Sequence, residues 1–153
     1  SNLFRTMGVP GAILPVMVFI FASFLSFSTG TSWGTFGILL PIVAPVAQAI
    51  APELTVASLA ATLAGSIFGD HCSPISDTTI LSSTGASCNH LDHVNSQLPY
   101  ALTIAVCSLV GYVLIGLTGN GLLGLLVSAV LLVVVVYVLH RLAEKNDTEP
   151  AEA

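Results

Sequence analysis

The chain has 153 residues, of which 54% are hydrophobic and only 7% are charged, and its net charge is −5. A soluble domain carries roughly 25% charged residues, so this composition excludes an ordinary soluble protein and indicates a membrane protein. With only 3 basic residues, the chain also lacks the basic surface that nucleic-acid binding requires.

The first part of the chain is predicted to form two apolar helical segments, at residues 11–27 and 36–50. The connector between them, residues 28–35, is uncharged and rich in hydroxyl groups and glycine. We expect it to stay at membrane depth, where non-helical backbone is tolerated only inside protein or beside a watery cavity. The second segment contains Pro41 and Pro45 and is short for a full crossing. It is either one arm of a re-entrant hairpin or the continuation of a long broken helix, and the sequence does not decide between them.

A second interruption is predicted at an acidic motif, residues 69–79, with the sequence GDHCSPISDTT. Because Pro74 forbids a continuous helix through the motif, we expect one helix to end before it and another, over 78–86, to follow with Asp77 as its N-cap. Asp70 is then near a helix C-terminus and Asp77 near a helix N-terminus. No basic residue lies nearby in the sequence, so two acids at membrane depth require a cation or a proton.

The last part of the chain is predicted to contain a polar loop at 88–97 and two further transmembrane helices, with a turn at 119–121 between them. Uncharged runs over 100–118 and 122–139 approach the roughly 20 residues needed to cross the hydrocarbon layer. We divide the chain into a transmembrane portion, residues 1–140, and a polar tail, residues 141–153. Basic residues directly after the last span place this tail on the cytoplasmic side.

Side chains in both interruptions offer oxygen atoms, which are the ligands that hard cations such as Na⁺ prefer. Paired interrupted helices of this kind are typical of ion sites in secondary transporters. A buried acid without a basic partner favours its protonated form, whereas a bound cation favours the ionised form, so Na⁺ and H⁺ would compete for it. We expect Asp70 to exchange protons and Asp77 to remain an ionised ligand. The other predicted ligands are Ser73, Ser76, Thr78, Thr79, Thr29, Thr31 and Ser32.

Several of these residues also have a simpler structural interpretation. Asp77 could act only as a helix cap, His71 could relay protons or only pair with Asp70, and Trp33 could gate a cavity or only fill space. The group Cys88, His90, Asp92 and His93 contains zinc-ligand types, but its spacing matches no standard zinc site. We therefore expect no transition metal and no cofactor, and the odd number of cysteines predicts no disulfide framework.

Two long strings closely resemble the NhaC-type Na⁺/H⁺ antiporter family: GTSWGTFGILLP at residues 30–41 and GDHCSPISDTTILSS at residues 69–83. Residues 90–94 and 97–101 also look like that family, so the resemblance covers roughly residues 11–117. It implies an all-α polytopic carrier of the ion transporter superfamily, built from inverted repeats with re-entrant or broken helices. This chain would be its C-terminal portion, in the cell membrane and without enzymatic activity. The implied partners are Na⁺, H⁺, the lipid bilayer and the N-terminal remainder of the transporter, and a homodimer is left open.

Other members of that family exchange organic acids, such as malate for lactate, or carry amino acids. No Lys or Arg lies near either interruption to bind a carboxylate substrate, which favours exchange of bare cations. Less favoured alternatives are an intramembrane metal-dependent enzyme that uses His71, His90, His93 and the aspartates, and a membrane scaffold that transports nothing.

Overall fold

The computed structural model describes residues 11–148, and over this range the chain forms helices without any strand. Single 3-10 turns, Gly11–Ile13 and Pro52–Leu54, precede the first and third α-helices. The α-helices are α1 (Leu14–Thr29), α2 (Ser32–Ile50), α3 (Thr55–Cys72), α4 (Asp77–Gly85), α5 (His90–Thr118) and α6 (Gly121–Thr148). The predicted all-α class is confirmed.

Four helical segments of the described range are long and apolar enough to cross a membrane. They are Gly11–Thr29, Ser32–Ile50, His90–Thr118 and Gly121–Leu142. Helix α3 is not one of the four, since it carries many small and hydroxyl-bearing residues, and instead packs between its neighbours. The chain therefore has the character of a multi-pass membrane segment with a more polar helix inside it.

Helices α1 and α2 form an antiparallel hairpin, not one long helix that continues through a break. They are joined by Gly30 and Thr31 alone, and Gly30 has a left-handed backbone with φ of 68°. Ala22 of α1 packs with Leu39 and Val43 of α2. At the open end of the hairpin, Gly11 lies directly beside Ala51.

The predicted eight-residue connector at 28–35 was wrong, because all but two of its residues are helical. Ser28 donates its hydroxyl to the Phe24 carbonyl oxygen at 2.9 Å, and Thr35 donates to the Thr31 carbonyl oxygen at 2.8 Å. Hydroxyls that bond to the preceding turn let polar residues continue a helix in apolar surroundings. Helix α2 is consequently 19 residues long, about 28 Å by helical rise, and it retains Pro41 and Pro45 in its interior.

Helices α1 and α3 approach each other backbone to backbone. A Cβ added at Gly65 would overlap the Phe19 carbonyl oxygen, and one added at Gly69 would overlap the Ser23 carbonyl oxygen. Ser26 of α1 donates its hydroxyl to the Ser66 carbonyl oxygen at 2.6 Å. Small residues allow such close approach between membrane helices, where packing and hydrogen bonds replace the hydrophobic driving force.

Between α3 and α4 the chain runs through Ser73, Pro74, Ile75 and Ser76, the 73–76 connector. The predicted break at Pro74 is confirmed, but the preceding helix does not end before the acidic motif and extends into it as far as Cys72.

The predicted loop at 88–97 was wrong, since α5 begins at His90. Asn89 is its N-cap, with the side-chain oxygen accepting from the backbone N–H of Leu91 at 2.9 Å and of Asp92 at 3.4 Å. Pro99 lies inside α5 and does not open it. The predicted turn before α6 is confirmed, with Gly119 at φ of 68°. Helix α6 continues to Thr148, so part of the predicted tail is helical and residues 149–153 lie outside the described residues.

Candidate functional site

The turn between α1 and α2 lies against the 73–76 connector. A Cβ at Gly30 would come within 2.7 Å of the Ile75 carbonyl oxygen, so only glycine permits this contact. Ser73 donates its hydroxyl to the Phe27 carbonyl oxygen at 2.8 Å. Phe27 is in the last turn of α1, where carbonyl groups have no partner within the helix. The two regions that the sequence singled out are therefore neighbours in the fold.

Asp70 is in the last turn of α3 and is buried, with 3% of its surface exposed. Its Oδ1 accepts a hydrogen bond from the Ser76 hydroxyl at 2.8 Å, and its Oδ2 accepts one from the Thr78 hydroxyl at 3.1 Å. The Ser76 and Thr78 hydroxyl oxygens are 2.7 Å apart. These three residues, the Asp70 cluster, form a closed loop of short oxygen–oxygen contacts.

The number of hydrogen atoms in the Asp70 cluster depends on the state of the carboxyl group. Each of the three contacts needs one hydrogen atom between its oxygens. With Asp70 ionised, the Ser76 and Thr78 hydroxyls supply only two, because an ionised carboxylate only accepts. A proton on Asp70 supplies the third. A cation coordinated by these oxygens would also remove the deficit, because the oxygens would then direct lone pairs at it.

Ser76 is placed by the local turn that precedes α4. The Ser73 N–H donates to the Asp70 carbonyl oxygen at 3.1 Å, and the Ser76 N–H donates to the Ser73 carbonyl oxygen at 3.3 Å. Ser76 has extended backbone, and its hydroxyl oxygen accepts from the Thr79 N–H at 3.4 Å. The N-cap of α4 is thus Ser76, and the prediction of Asp77 as the cap was wrong by one residue. Thr79 itself is buried beside the cluster, with 3% exposure.

Asp77 occupies the first turn of α4 and is exposed. Its Oδ1 accepts from the backbone N–H of Thr78 at 2.8 Å. Among residues 11–148, no hydrogen bond links Asp77 to Asp70. The two acids that sequence analysis paired therefore have different surroundings: one is enclosed by hydroxyl donors and the other lies on the outside of this segment.

Two of the predicted ligands in the first interruption, Thr29 and Thr31, bond to neighbouring groups of α2. The Thr29 and Thr35 hydroxyl oxygens are 3.1 Å apart, and the Thr31 hydroxyl caps α2 at the Gly34 N–H. Ser32 is buried at the start of α2. Sequence analysis missed Ser26, whose hydroxyl donates to the Ser66 carbonyl oxygen of α3 and whose oxygen also lies 3.2 Å from the Thr31 carbonyl oxygen. It also missed Thr35, although its spacing of four residues from Thr31 was a usable signal.

His71 and Trp33 do not join the Asp70 cluster. His71 is exposed, and its backbone carbonyl oxygen accepts from the Gln97 side-chain amide at 2.6 Å. Trp33 is 78% exposed and packs on Phe36 with ring centroids 5.2 Å apart.

The described part of the chain contains no group of three or more His, Cys, Asp or Glu side chains that could hold a metal ion. His90 was one of the residues considered as a zinc ligand, and both of its ring nitrogens are within hydrogen-bond distance of protein oxygens. Nε2 is 2.7 Å from the Pro74 carbonyl oxygen, and Nδ1 is 3.1 Å from the Ser83 hydroxyl oxygen.

Residues 1–117 match the model of the Na⁺/H⁺ antiporter family. The chain is 53% identical over 133 residues to an uncharacterized protein of Haemophilus influenzae, covering 87% of this chain and 26% of that protein. It is 38% identical over 110 residues to an uncharacterized Na(+)/H(+) antiporter of the same organism, covering 69% of this chain and 23% of that protein. It is 32% identical over 106 residues to a malate-2H(+)/Na(+)-lactate antiporter of Bacillus subtilis, covering 66% of this chain and 22% of that protein.

No solved structure matches the chain significantly. The chain spans about a quarter of the length of these curated relatives.

Proposed function

Because the chain belongs to the Na⁺/H⁺ antiporter family, we propose that it is part of a secondary transporter that exchanges Na⁺ for H⁺ at Asp70. The observation that carries this proposal is the Asp70 cluster, a buried carboxyl group closed off by two hydroxyls with one hydrogen atom too few when ionised. A proton or a cation removes the deficit, and the two cannot occupy the cluster together. Such mutual exclusion is what couples their movement in opposite directions.

The surroundings of the cluster favour a cation as the alternative to the proton. Helices α1 and α3 both end here, as the bond from Ser73 to Phe27 shows, and helix C-termini carry partial negative charge. Side-chain and carbonyl oxygens are the donors that hard cations prefer. Ser73, Ser76, Thr78 and Thr79 are the proposed ligand group around Asp70.

Asp77 is proposed as a second acid that remains ionised next to the cluster. It sits at the N-terminus of α4, where the helix dipole stabilises negative charge. Since it is exposed in this segment, we place it on the path of the cation between the cluster and the remainder of the transporter. Thr29, Thr31 and Ser32 are proposed to line the same path from the α1–α2 turn.

The whole-protein features that the sequence predicted belong to this proposal. They are an inverted second copy of the pattern in the remainder of the transporter, a C-terminal position for this chain, a location in the cell membrane and a cytoplasmic side for residues 141–153.

The test is a measurement of proton movement driven by Na⁺ in vesicles that contain the full-length transporter. We expect an imposed Na⁺ gradient to move protons in the opposite direction. The same measurement with Li⁺ and K⁺ gradients gives the selectivity of the transporter among these cations. If Na⁺ moves no protons under any orientation of the gradient, the proposed exchange is wrong.

A second candidate is coupled exchange of organic acids, which the similarity to the Bacillus subtilis antiporter favours. Against it, the sequence has no Lys or Arg between residues 6 and 140 to bind a carboxylate substrate. The same vesicles separate the two candidates when malate or lactate is supplied. Proton movement that requires an organic acid would favour the second candidate.

Replacing Thr78 with valine is expected to weaken Na⁺ binding. Valine keeps the shape of threonine but removes the hydroxyl that bonds to Asp70 Oδ2, and Ser76 still caps α4. A hydrogen bond to a charged group contributes about 1.5–3 kcal/mol, so the half-saturating Na⁺ concentration should rise about 10-fold or more. Thr78→Ser keeps the hydroxyl and should stay near wild type. Equal Na⁺ affinity in wild type and Thr78→Val would exclude Thr78 as a ligand.

A further inference from the structure

Two backbone carbonyl groups beside the Asp70 cluster accept hydrogen bonds from side chains of α5. His71 is in the last turn of α3, where carbonyl groups lack helical partners, and its oxygen accepts from Gln97 Nε2 at 2.6 Å. Pro74 is inside the 73–76 connector, and its oxygen accepts from His90 Nε2 at 2.7 Å. His90 and Gln97 are seven residues apart, which places them two turns apart on one face of α5.

We propose that His90 and Gln97, the α5 clamp, are positioning residues that fix the geometry of the Asp70 cluster by holding the backbone at the end of α3 and within the 73–76 connector. The effect on ion exchange rests on the proposed function, whereas the effect on the backbone does not. Within residues 11–148 neither side chain makes a hydrogen bond to Asp70, Ser76 or Thr78, so the clamp acts through the backbone of His71 and Pro74.

The connector needs this support because its own bonds are few and long. The N–H groups of Ser73, Ile75 and Ser76 are 3.1, 3.4 and 3.3 Å from their acceptor oxygens, and Pro74 has no N–H to contribute. The two bonds from α5 are shorter than any of these three. Ser76, which donates to Asp70, is only two residues from the clamped Pro74 carbonyl.

His90 also ties the connector to α4. A carbonyl oxygen only accepts, so Nε2 carries the proton in the bond to Pro74. Nδ1 is then an acceptor, 3.1 Å from the Ser83 hydroxyl oxygen, and this hydroxyl shares its hydrogen atom with the Ile80 carbonyl oxygen at 3.0 Å. One imidazole ring therefore contacts both the connector that carries Ser76 and the helix that carries Thr78. A shift of roughly 0.5 Å in such a ligand is enough to impair a site.

The experiment combines two measurements on the full-length transporter: amide hydrogen exchange of a peptide covering residues 73–80, and Na⁺-driven proton movement in vesicles. The variants are His90→Ala, which removes the donor, His90→Gln, which keeps an N–H donor near Nε2, and Gln97→Met, which preserves length without the amide. His93→Ala is the matched control, since His93 is on the same helix and its ring makes no hydrogen bond within residues 11–148.

We expect His90→Ala and Gln97→Met to speed exchange of the 73–80 peptide about 10-fold, because opening the connector exposes its amides. Both variants should raise the half-saturating Na⁺ concentration about 10-fold and change the maximal rate less. The reason is that misplaced ligands weaken Na⁺ binding before they slow the exchange itself. His90→Gln should recover most of both effects, and His93→Ala should match wild type.

Unchanged amide exchange in both His90→Ala and Gln97→Met would overturn the clamp, whatever the transport result. Faster exchange with unaltered Na⁺ affinity would also overturn it as a positioning device, because the connector would then be mobile without consequence for the site. If the wild-type protein moves no protons with Na⁺, the proposed function fails, while the exchange data still decide whether α5 holds the connector.

Discussion

Asp70→Asn is expected to abolish Na⁺-driven proton movement by the full-length transporter. Asparagine has the size of aspartate, and its carbonyl oxygen still accepts one hydroxyl. It carries no negative charge for Na⁺ and takes up no proton in the physiological range, so both halves of the exchange lose their binding group. The amide also turns one acceptor of the Asp70 cluster into a donor that faces a hydroxyl already donating to it.

The loss should be at least about 100-fold in the rate of exchange, because two hydroxyls bond to the Asp70 carboxyl group and each hydrogen bond to a charged group contributes about 1.5–3 kcal/mol. The measurement is proton movement in vesicles at matched protein content, with folding checked by the melting temperature. Asp77→Asn is the comparison, because Asp77 is exposed and, among the residues that the structure describes, its side chain accepts only from the neighbouring Thr78 backbone N–H. We expect it to lose less than about 10-fold, as exposed charges contribute little. Undiminished exchange in Asp70→Asn would refute the site.

Gly69→Val is expected to prevent α1 from packing on α3. A Cβ at this position overlaps the Ser23 carbonyl oxygen and comes within 2.8 Å of the Phe27 backbone nitrogen. Both contacts are to backbone atoms, so no side chain can rotate away, and α1 as a whole must move. That movement also separates Phe27 from Ser73, which lies next to the Asp70 cluster.

Overpacking costs about 1–3 kcal/mol, and we expect the upper end here because the clash is with backbone. The measurement is the melting temperature and yield of the full-length protein in detergent. Gly121→Ala is the control, since a Cβ at Gly121 meets nothing within 4 Å in the described structure. A Gly69→Val protein with wild-type yield and melting temperature would contradict the close approach of α1 and α3. In contrast to this variant, Asp70→Asn should fold normally, so the two predictions separate loss of structure from loss of chemistry.

Errors of sequence analysis occurred where polar residues continued a helix. Residues 28–35 and 88–97 were predicted as connector and loop from their hydroxyl, amide and charged groups. In the structure, hydroxyls at Ser28 and Thr35 bond to the preceding turn, and Asn89 caps a helix that starts in the polar stretch. Composition therefore overestimated the length of the breaks, because it does not distinguish a polar side chain that interrupts a helix from one that bonds back to it.

The sequence by itself determined the helical membrane class, the break at Pro74 and the presence of an acid on each side of it. These features depend on hydropathy over a window and on the missing N–H of proline, which are local properties of the chain. Only the tertiary structure decided that Asp70 is enclosed and Asp77 exposed, that the α1–α2 turn lies on the 73–76 connector, and that His90 of α5 bonds to that connector. Those outcomes depend on contacts between residues far apart in the chain, such as Phe27 with Ser73 and His71 with Gln97, which no local pattern encodes.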